Sequence, residues 1–311
     1  MQPAATAAAA ASRLAFPALI LANLFLAFGP WLVRLSDVGP VAAGFWRLAL
    51  AIPLLLLFAR LGGQRLSAGR GMMLAIALGG LFFAPDLAAW HYGILRTKLA
   101  NATLFGNTAS FLFPLYGFLV ARALPGRVQG VALLLALLGA GLLLGSSYEL
   151  SPRNFEGDLW AMLAGLFYAF YLVSIDRARK TLAPMPVLAL STLAGAAPLL
   201  LFALALGEQV VPVSWTPLLL LSLGSQVVGQ GLLVYSMGHL SPLVVGIGLL
   251  TQPAVSALIG WVVYDERLGA SDFAGAALIC VALVLIRLPG RLASGPDEPH
   301  LDPRGRADQT R

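Results

Sequence analysis

Between Leu14 and Arg287 the sequence is a succession of ten apolar stretches, set apart only by brief charged, glycine or proline punctuation. They run over 14–34, 40–60, 71–94, 100–121, 128–147, 157–176, 187–206, 217–237, 242–264 and 271–287. Each is close to the ~20 residues that a helix needs to cross a hydrocarbon layer about 30 Å thick. In that medium the backbone of a segment has to satisfy its own hydrogen bonds, so these stretches are predicted as transmembrane helices. Composition closes off the alternative. Of 311 residues, 59% are hydrophobic and 11% charged, against roughly 25% charged in a soluble domain. No soluble fold of this length buries so much apolar surface. The predicted fold class is an all-α polytopic membrane protein with ten transmembrane helices.

The opening residues 1–13 carry one basic side chain ahead of an apolar run too long for a signal-peptide core. They read as a short cytoplasmic N-terminus before an uncleaved first span. The 288–311 segment is rich in proline, glycine and charge and reads as a disordered cytoplasmic tail. Orientation follows from the loops. With the N-terminus inside, the inner side holds Arg13, Arg60, Arg65, Arg70, Arg122, Arg127, Arg177, Arg179, Lys180, Arg287 and Arg291. The outer side holds Arg34, Arg96, Lys98, Arg153 and Arg267. An excess of eleven over five places both termini in the cytoplasm. The same bias accounts for the net charge of +6 without a nucleic-acid partner. The single cysteine, Cys280, excludes an internal disulfide framework.

The chain also echoes itself. From Ser241 to Arg287 an apolar run with a central proline, Pro253, meets a short charged turn of Asp265, Glu266 and Arg267. A second apolar run then carries an early glycine, Gly275. Residues 100–145 repeat the plan with Pro114, a basic turn containing Arg122 and Arg127, and Gly130. Such self-similarity predicts two repeats of five helices, 14–147 and 157–287, joined by an outer linker over 148–156. Five is odd, so the second repeat enters from the opposite face. The halves are predicted to be inverted repeats around a central cavity. Pro114 and Pro253 mark expected helix bends.

At these residues the sequence resembles the EamA type of the drug/metabolite transporter superfamily. Five-span repeats with a central proline in the fourth span carry the likeness. So do Pro40 and Arg47 around the second span, the Ser241–Pro242 start of the ninth, and the Glu266 turn followed by Gly275. The resemblance covers residues 16 to 287 or so. One departure stands out: Arg122, Ala123 and Leu124 occupy the first half's counterpart of the glutamate-containing turn. Within the superfamily the chain looks most like bacterial exporters of aromatic amino acids. The resemblance implies a multi-pass protein of the bacterial inner membrane. It would export small amphiphilic metabolites, aromatic or other apolar amino acids, by alternating access. Broad-specificity drug or cation efflux is the alternative.

Polar and aromatic side chains inside spans identify candidate binding residues, because a polar group facing lipid is costly. Span 3 offers Trp90 and His91, and span 4 a stripe containing Asn107. Span 6 has an aromatic face with Tyr168 and Tyr171. Gln226 and Gln230 lie four apart in span 8, as do Gln252 and Ser256 in span 9. The same spacings also serve as helix-packing seams or interfacial belts. Arg47 and Asp86 come to similar depth in antiparallel spans. They form either a charge pair that pins helices or a site in which Arg47 holds a substrate carboxylate. Spans 5 and 10 carry no side chain more polar than Cys280 between 131 and 144 or between 273 and 286, so they read as outer supports or a dimer contact, with Gly139, Gly141 and Gly145 allowing close helix approach. No enzyme signature occurs, no cofactor is implied, and His91, His239 and His300 are too scattered for a metal site. The expected partners are a small-molecule substrate and the lipid bilayer, with monomer and weak homodimer both open.

Overall fold

A computed structural model describes residues 2–97, 99–147, 152–264 and 269–287. The predicted turn at Asp265, Glu266 and Arg267, the 148–151 part of the linker and the 288–311 tail lie outside the described residues. Among the described residues every regular element is a helix. Seven helical stretches are long and apolar enough to cross a membrane: Arg13–Leu35, Pro40–Leu61, Arg70–Ile94, Asn154–Arg179, Pro184–Ala205, Thr216–Met237 and Pro242–Val263. Shorter apolar helices cover Ala109–Ala121, Arg127–Leu143 and Ala270–Ile286. Long apolar side chains such as Leu74, Leu119 and Val284 remain exposed on the flanks. The architecture is that of a polytopic membrane protein.

Helix α1 spans Gln2–Ala27, beginning well before the predicted first span. The alanine run 7–11 explains this, since alanine is the strongest helix former. Prolines then divide spans that the sequence pattern shows as continuous. Phe28 separates α1 from α2 (Gly29–Leu35), where Pro30 sits in the first turn. Leu50 separates α3 (Pro40–Ala49) from α4 (Ala51–Leu61). The break lies three residues before Pro53, whose missing N–H leaves the Ala49 carbonyl without its helical donor. Leu250 divides α13 (Pro242–Leu249) from α14 (Thr251–Tyr264) in the same way, three residues before Pro253. The bend expected at Pro114 is displaced. That proline lies inside continuous α7 (Ala109–Ala121), and the interruption falls at Asn107–Thr108, after α6 (Leu99–Gly106). The Asn107 side chain donates to the Thr103 carbonyl at 2.7 Å, closing the end of α6 locally.

The remaining elements are α5 (Arg70–Ile94), α8 (Arg127–Ser147), α9 (Pro152–Arg179), α10 (Pro184–Ala205), α11 (Thr216–Leu220), a π-helical segment (Leu221–Gln230), α12 (Gly231–Met237) and α15 (Ala270–Arg287). Helix α5 packs against α9 and α10, α7 against α13, and α1 against the π segment and α12. Lipid supplies no hydrophobic drive between helices, so close backbone approach and interhelical hydrogen bonds hold them. Gly139 of α8 and Gly275 of α15 are each other's neighbours: a Cβ on either would sit 2.6–2.7 Å from the other's carbonyl oxygen. Gly80 of α5 lies closer still to the Ser191 carbonyl of α10, and a Cβ on it would sit 3.0 Å from the Gly195 nitrogen. Gly130, the early glycine of the first half, meets nothing within 4 Å, so Gly139 takes the role its position suggested.

At one end of the bundle, the loop before α3 and the loop after α10 clasp each other. Glu208 accepts the Val41 and Ala42 amides at 3.3 and 2.8 Å, capping the positive end of α3. Asp37 accepts the amides of Val213 and Ser214 at 2.8 and 2.9 Å. Trp46 donates its indole N–H to the Val210 carbonyl and packs edge-on against Trp215. The Ser214 amide, with Val213 assisting, holds the Asp37 carboxyl below its ordinary range. A depressed carboxyl contributes stability that is complete above the ordinary pKa of ~3.9 and fades as pH falls through the folded-state value. Amide exchange at Val213 and Ser214 should therefore accelerate only in strong acid. Asp37→Asn should make it fast at neutral pH, and equal protection in that variant would sink the clasp.

Candidate functional site

Broken helices and the π segment bring side chains from distant parts of the chain around one cavity. Its lining is Leu26 of α1, Arg47 of α3, Phe83, Asp86, Leu87 and Trp90 of α5, Gly106 and Asn107 at the α6–α7 break, Tyr168 of α9, Gln230, and Gln252 of α14. The space open to the centres of water molecules is about 50 Å³. That admits a few waters, whereas sites for small organic ligands measure ~300–1,000 Å³. The cavity is contracted.

Arg47 is among the largest fully enclosed side chains, with 2% exposure. Its Nε donates to Gln226 Oε1 at 3.1 Å, and Gln226 Nε2 in turn donates to the Thr192 hydroxyl at 3.0 Å. The guanidinium lies 5.8 Å from the centre of the Phe83 ring, a cation–π distance. Asp86 shares the cavity and is 7% exposed, yet no Arg47–Asp86 contact falls within 4.0 Å. Of the two expected arrangements, a charge pair that pins helices or a site open to a substrate carboxylate, the geometry has two opposite charges lining one space without direct contact. Gln226 explains the separation, because it draws the guanidinium toward α10.

One wall is aromatic. Phe83 stacks on Tyr171 at 4.4 Å and 16°, and Tyr171 stacks on Tyr168 at 5.7 Å and 18°. Tyr168 reaches the cavity, and its hydroxyl accepts from Gln230 Nε2 at 3.2 Å. Tyr171 has no exposure and stands behind the other two rings rather than in the lining. Trp90 closes one end, its indole packed against Gly106 and Gly29. Gln252 donates to Asn23 Oδ1 at 2.8 Å and still faces the cavity. Gln230 Oε1 is buried with no partner. The π segment carries both Gln230 and Gln226, the partner of Arg47, and such wide turns recur at functional sites.

Besides Tyr171, three predicted residues fall outside the lining. His91 turns to α3, its Nδ1 2.9 Å from the Pro40 carbonyl, while Nε2 is buried without a partner. Neighbouring positions on a helix point about 100° apart, so Trp90 and His91 cannot share the cavity. Gln226 stands behind Arg47, and Ser256 reaches toward the Ala27 carbonyl at 3.5 Å in a helix seam. Phe83 and Leu26 were not anticipated; each looks like one more apolar residue of its span. Phe83 lies three residues before Asp86, a helical-face relation that points to it once Asp86 is suspected. Among the described residues no group of three His, Cys, Asp or Glu side chains is placed to hold a metal.

Comparisons with known proteins agree with this architecture. Residues 155–288 match the EamA-like transporter family. An uncharacterized transporter of Archaeoglobus fulgidus is 28% identical over 146 residues, 45% of this chain and 49% of that protein. The chain thus spans about half the length of the curated relative it matches. A solved structure, described only as a crystal structure of a protein, superposes with a TM-score of 0.75 at 20% identity. The match covers 92% of this chain and 99% of the other, and it carries the fold alone.

Proposed function

We propose that the chain, whose residues 155–288 match the EamA-like transporter family, is a transporter of the drug/metabolite type that exports aromatic or other apolar amino acids. The observation that carries the substrate class is the cavity's charge arrangement. Arg47 and Asp86 line one space without closing on each other. A zwitterion answers that arrangement, its carboxylate toward the guanidinium and its ammonium toward the carboxylate. Phe83, Tyr168 and Trp90 supply rings for an apolar side chain, and Gln230 offers an unclaimed acceptor.

The mechanism in this reading is alternating access by two inverted five-helix repeats, 14–147 and 157–287, within ten spans of a bacterial inner membrane, both termini cytoplasmic. The pattern of helix neighbours supports a pseudo-twofold axis. Exchanging each helix for its counterpart turns the α7–α13 contact into α14–α6, and the α5–α9 contact into the packing of α1 on the π segment and α12. All four contacts are present, and the α8–α15 contact maps onto itself. Rocking the halves would open the contracted cavity to one side and then the other. The interruptions at Leu50, Asn107–Thr108 and Leu250 supply hinges.

A second reading, efflux of lipophilic cations, is favoured by one fact: among the described residues no ion-pair contact within 4.0 Å closes on Asp86, although Arg47 shares its cavity. Liposomes containing the purified protein separate the two. Saturable, stereoselective efflux of labelled phenylalanine and tryptophan, with glutamate and phenethylamine left behind, is the expected result. Faster efflux of phenethylamine than of phenylalanine would replace the amino-acid reading with the cation one, and equal leakage of all four would end both. Trp90→Ala should reduce the preference for tryptophan over alanine by about tenfold, the size of one lost aromatic contact of 0.5–1.5 kcal/mol.

A further inference from the structure

The hairpin of α7 and α8 has no place in that reading. The two helices are consecutive, joined by the 122–126 turn, yet they diverge: α7 packs on α13 and α9, α8 on α15 and α6. Helices α14 and α15, by contrast, pack together. The divergence leaves a groove of about 840 Å³ between α7 and α8, lined by apolar residues including Leu119 and Leu137, with one charged group, Arg122. Arg122 is exposed, and among the described residues it and Arg127 have no carboxylate partner. The whole segment 109–147 contains no aspartate or glutamate. Arg122 also ends α7 in the left-handed region, at φ 49°, a conformation that glycine holds more easily. A guanidinium is thus presented at the groove's rim at a backbone cost. This is the turn where the chain departs from the glutamate of its resemblance.

We propose that the groove is a binding site for one anionic phospholipid. Its phosphate lies on the Arg122 guanidinium with Arg127 as a second cation, and an acyl chain fills the gap between the helices. Arginine forms bidentate bonds to phosphate oxygens. Basic clusters at the end of a spanning helix attract anionic headgroups. A second copy of the chain fits the same face poorly. A twofold contact would bring another Arg122 and Arg127 toward the first pair, with no acid between 109 and 147 to neutralise them.

The test uses the full-length protein in nanodiscs of dioleoyl phosphatidylcholine with a minor share of dioleoyl phosphatidylglycerol, released into native mass spectrometry. The wild type should retain one phosphatidylglycerol in preference to phosphatidylcholine. Arg122→Gln and Arg127→Gln should each weaken that preference by about fivefold, whereas Arg65→Gln at another loop should leave it unchanged. Arg122→Gly serves as the folding control. It should melt no lower than wild type, since it relaxes the left-handed residue, and yet lose the lipid. Leu134→Trp should narrow the groove and reduce crosslinking by a phosphatidylglycerol with a diazirine in its acyl chain. Retention by both glutamine variants equal to wild type would overturn the site. So would indifference to headgroup, or a stable dimer that Leu119→Arg disperses.

Discussion

Arg47→Met is expected to lower the efflux rate of phenylalanine at least 100-fold while the protein still assembles in the membrane. Truncating one partner of a buried, hydrogen-bonded charged group costs roughly 2–5 kcal/mol, much of it from what is left unpaired. Here Gln226 Oε1 would lose its donor, and Asp86 would lose the cation that shares its cavity. Arg47→Lys should be intermediate, because it restores the charge but not the fork that reaches Gln226 and a carboxylate together. Exchanging the two charges, with Asp at 47 and Arg at 86, distinguishes roles. Assembly without transport fits a site that orients a zwitterion, and full recovery of transport would reduce the pair to a helix pin. Wild-type flux from Arg47→Met would remove the guanidinium from the mechanism altogether.

The second large effect concerns packing. Gly80→Leu is expected to destabilise the bundle by about 3 kcal/mol or more, beyond the usual 1–3 kcal/mol of overpacking. The reason is that its Cβ would strike backbone, the Ser191 carbonyl and the Gly195 nitrogen, and not a side chain that could move aside. Gly139→Leu should act similarly against Gly275, with reduced accumulation and early thermal unfolding in detergent. Gly141 lies two residues along α8 and has open space around it, so Gly141→Leu is the matched control and should be tolerated. Equal melting of the Gly139 and Gly141 variants would mean that α8 and α15 are not held by that contact.

Much of the helical layout was legible because the apolar runs are long and their punctuation sharp. The prolines were half legible. Pro253 does follow a break, three residues after Leu250 and within reach of the hydrogen bond it removes, and Pro53 follows Leu50 in the same way. Pro114, identical in sequence terms, sits in an unbroken helix whose interruption lies a turn and a half earlier. What decides the difference is packing: Pro114 presses against Gly246 of α13, so the helix there is supported from outside. The π segment has no signature in its letters, since one extra residue per turn shows only in the backbone. In the candidate site, the polar members Arg47, Asp86, Asn107, Gln230 and Gln252 stood out against an apolar background. Phe83 did not, for a phenylalanine lining a cavity and one facing lipid are the same letter. His91 and Tyr171 were misplaced by a single helical step or a single layer, distances below the resolution of periodicity.

A space with room for only a few water molecules cannot enclose an amino acid until the surrounding rings and amides have repacked. In the proposed transport cycle, each turnover then begins with a mechanical event rather than with cargo drifting down a channel. Flux should climb steeply with warming, stall when the bilayer stiffens, and saturate at modest concentrations. Rigid compounds that wedge the rings apart without letting them close again should act as inhibitors.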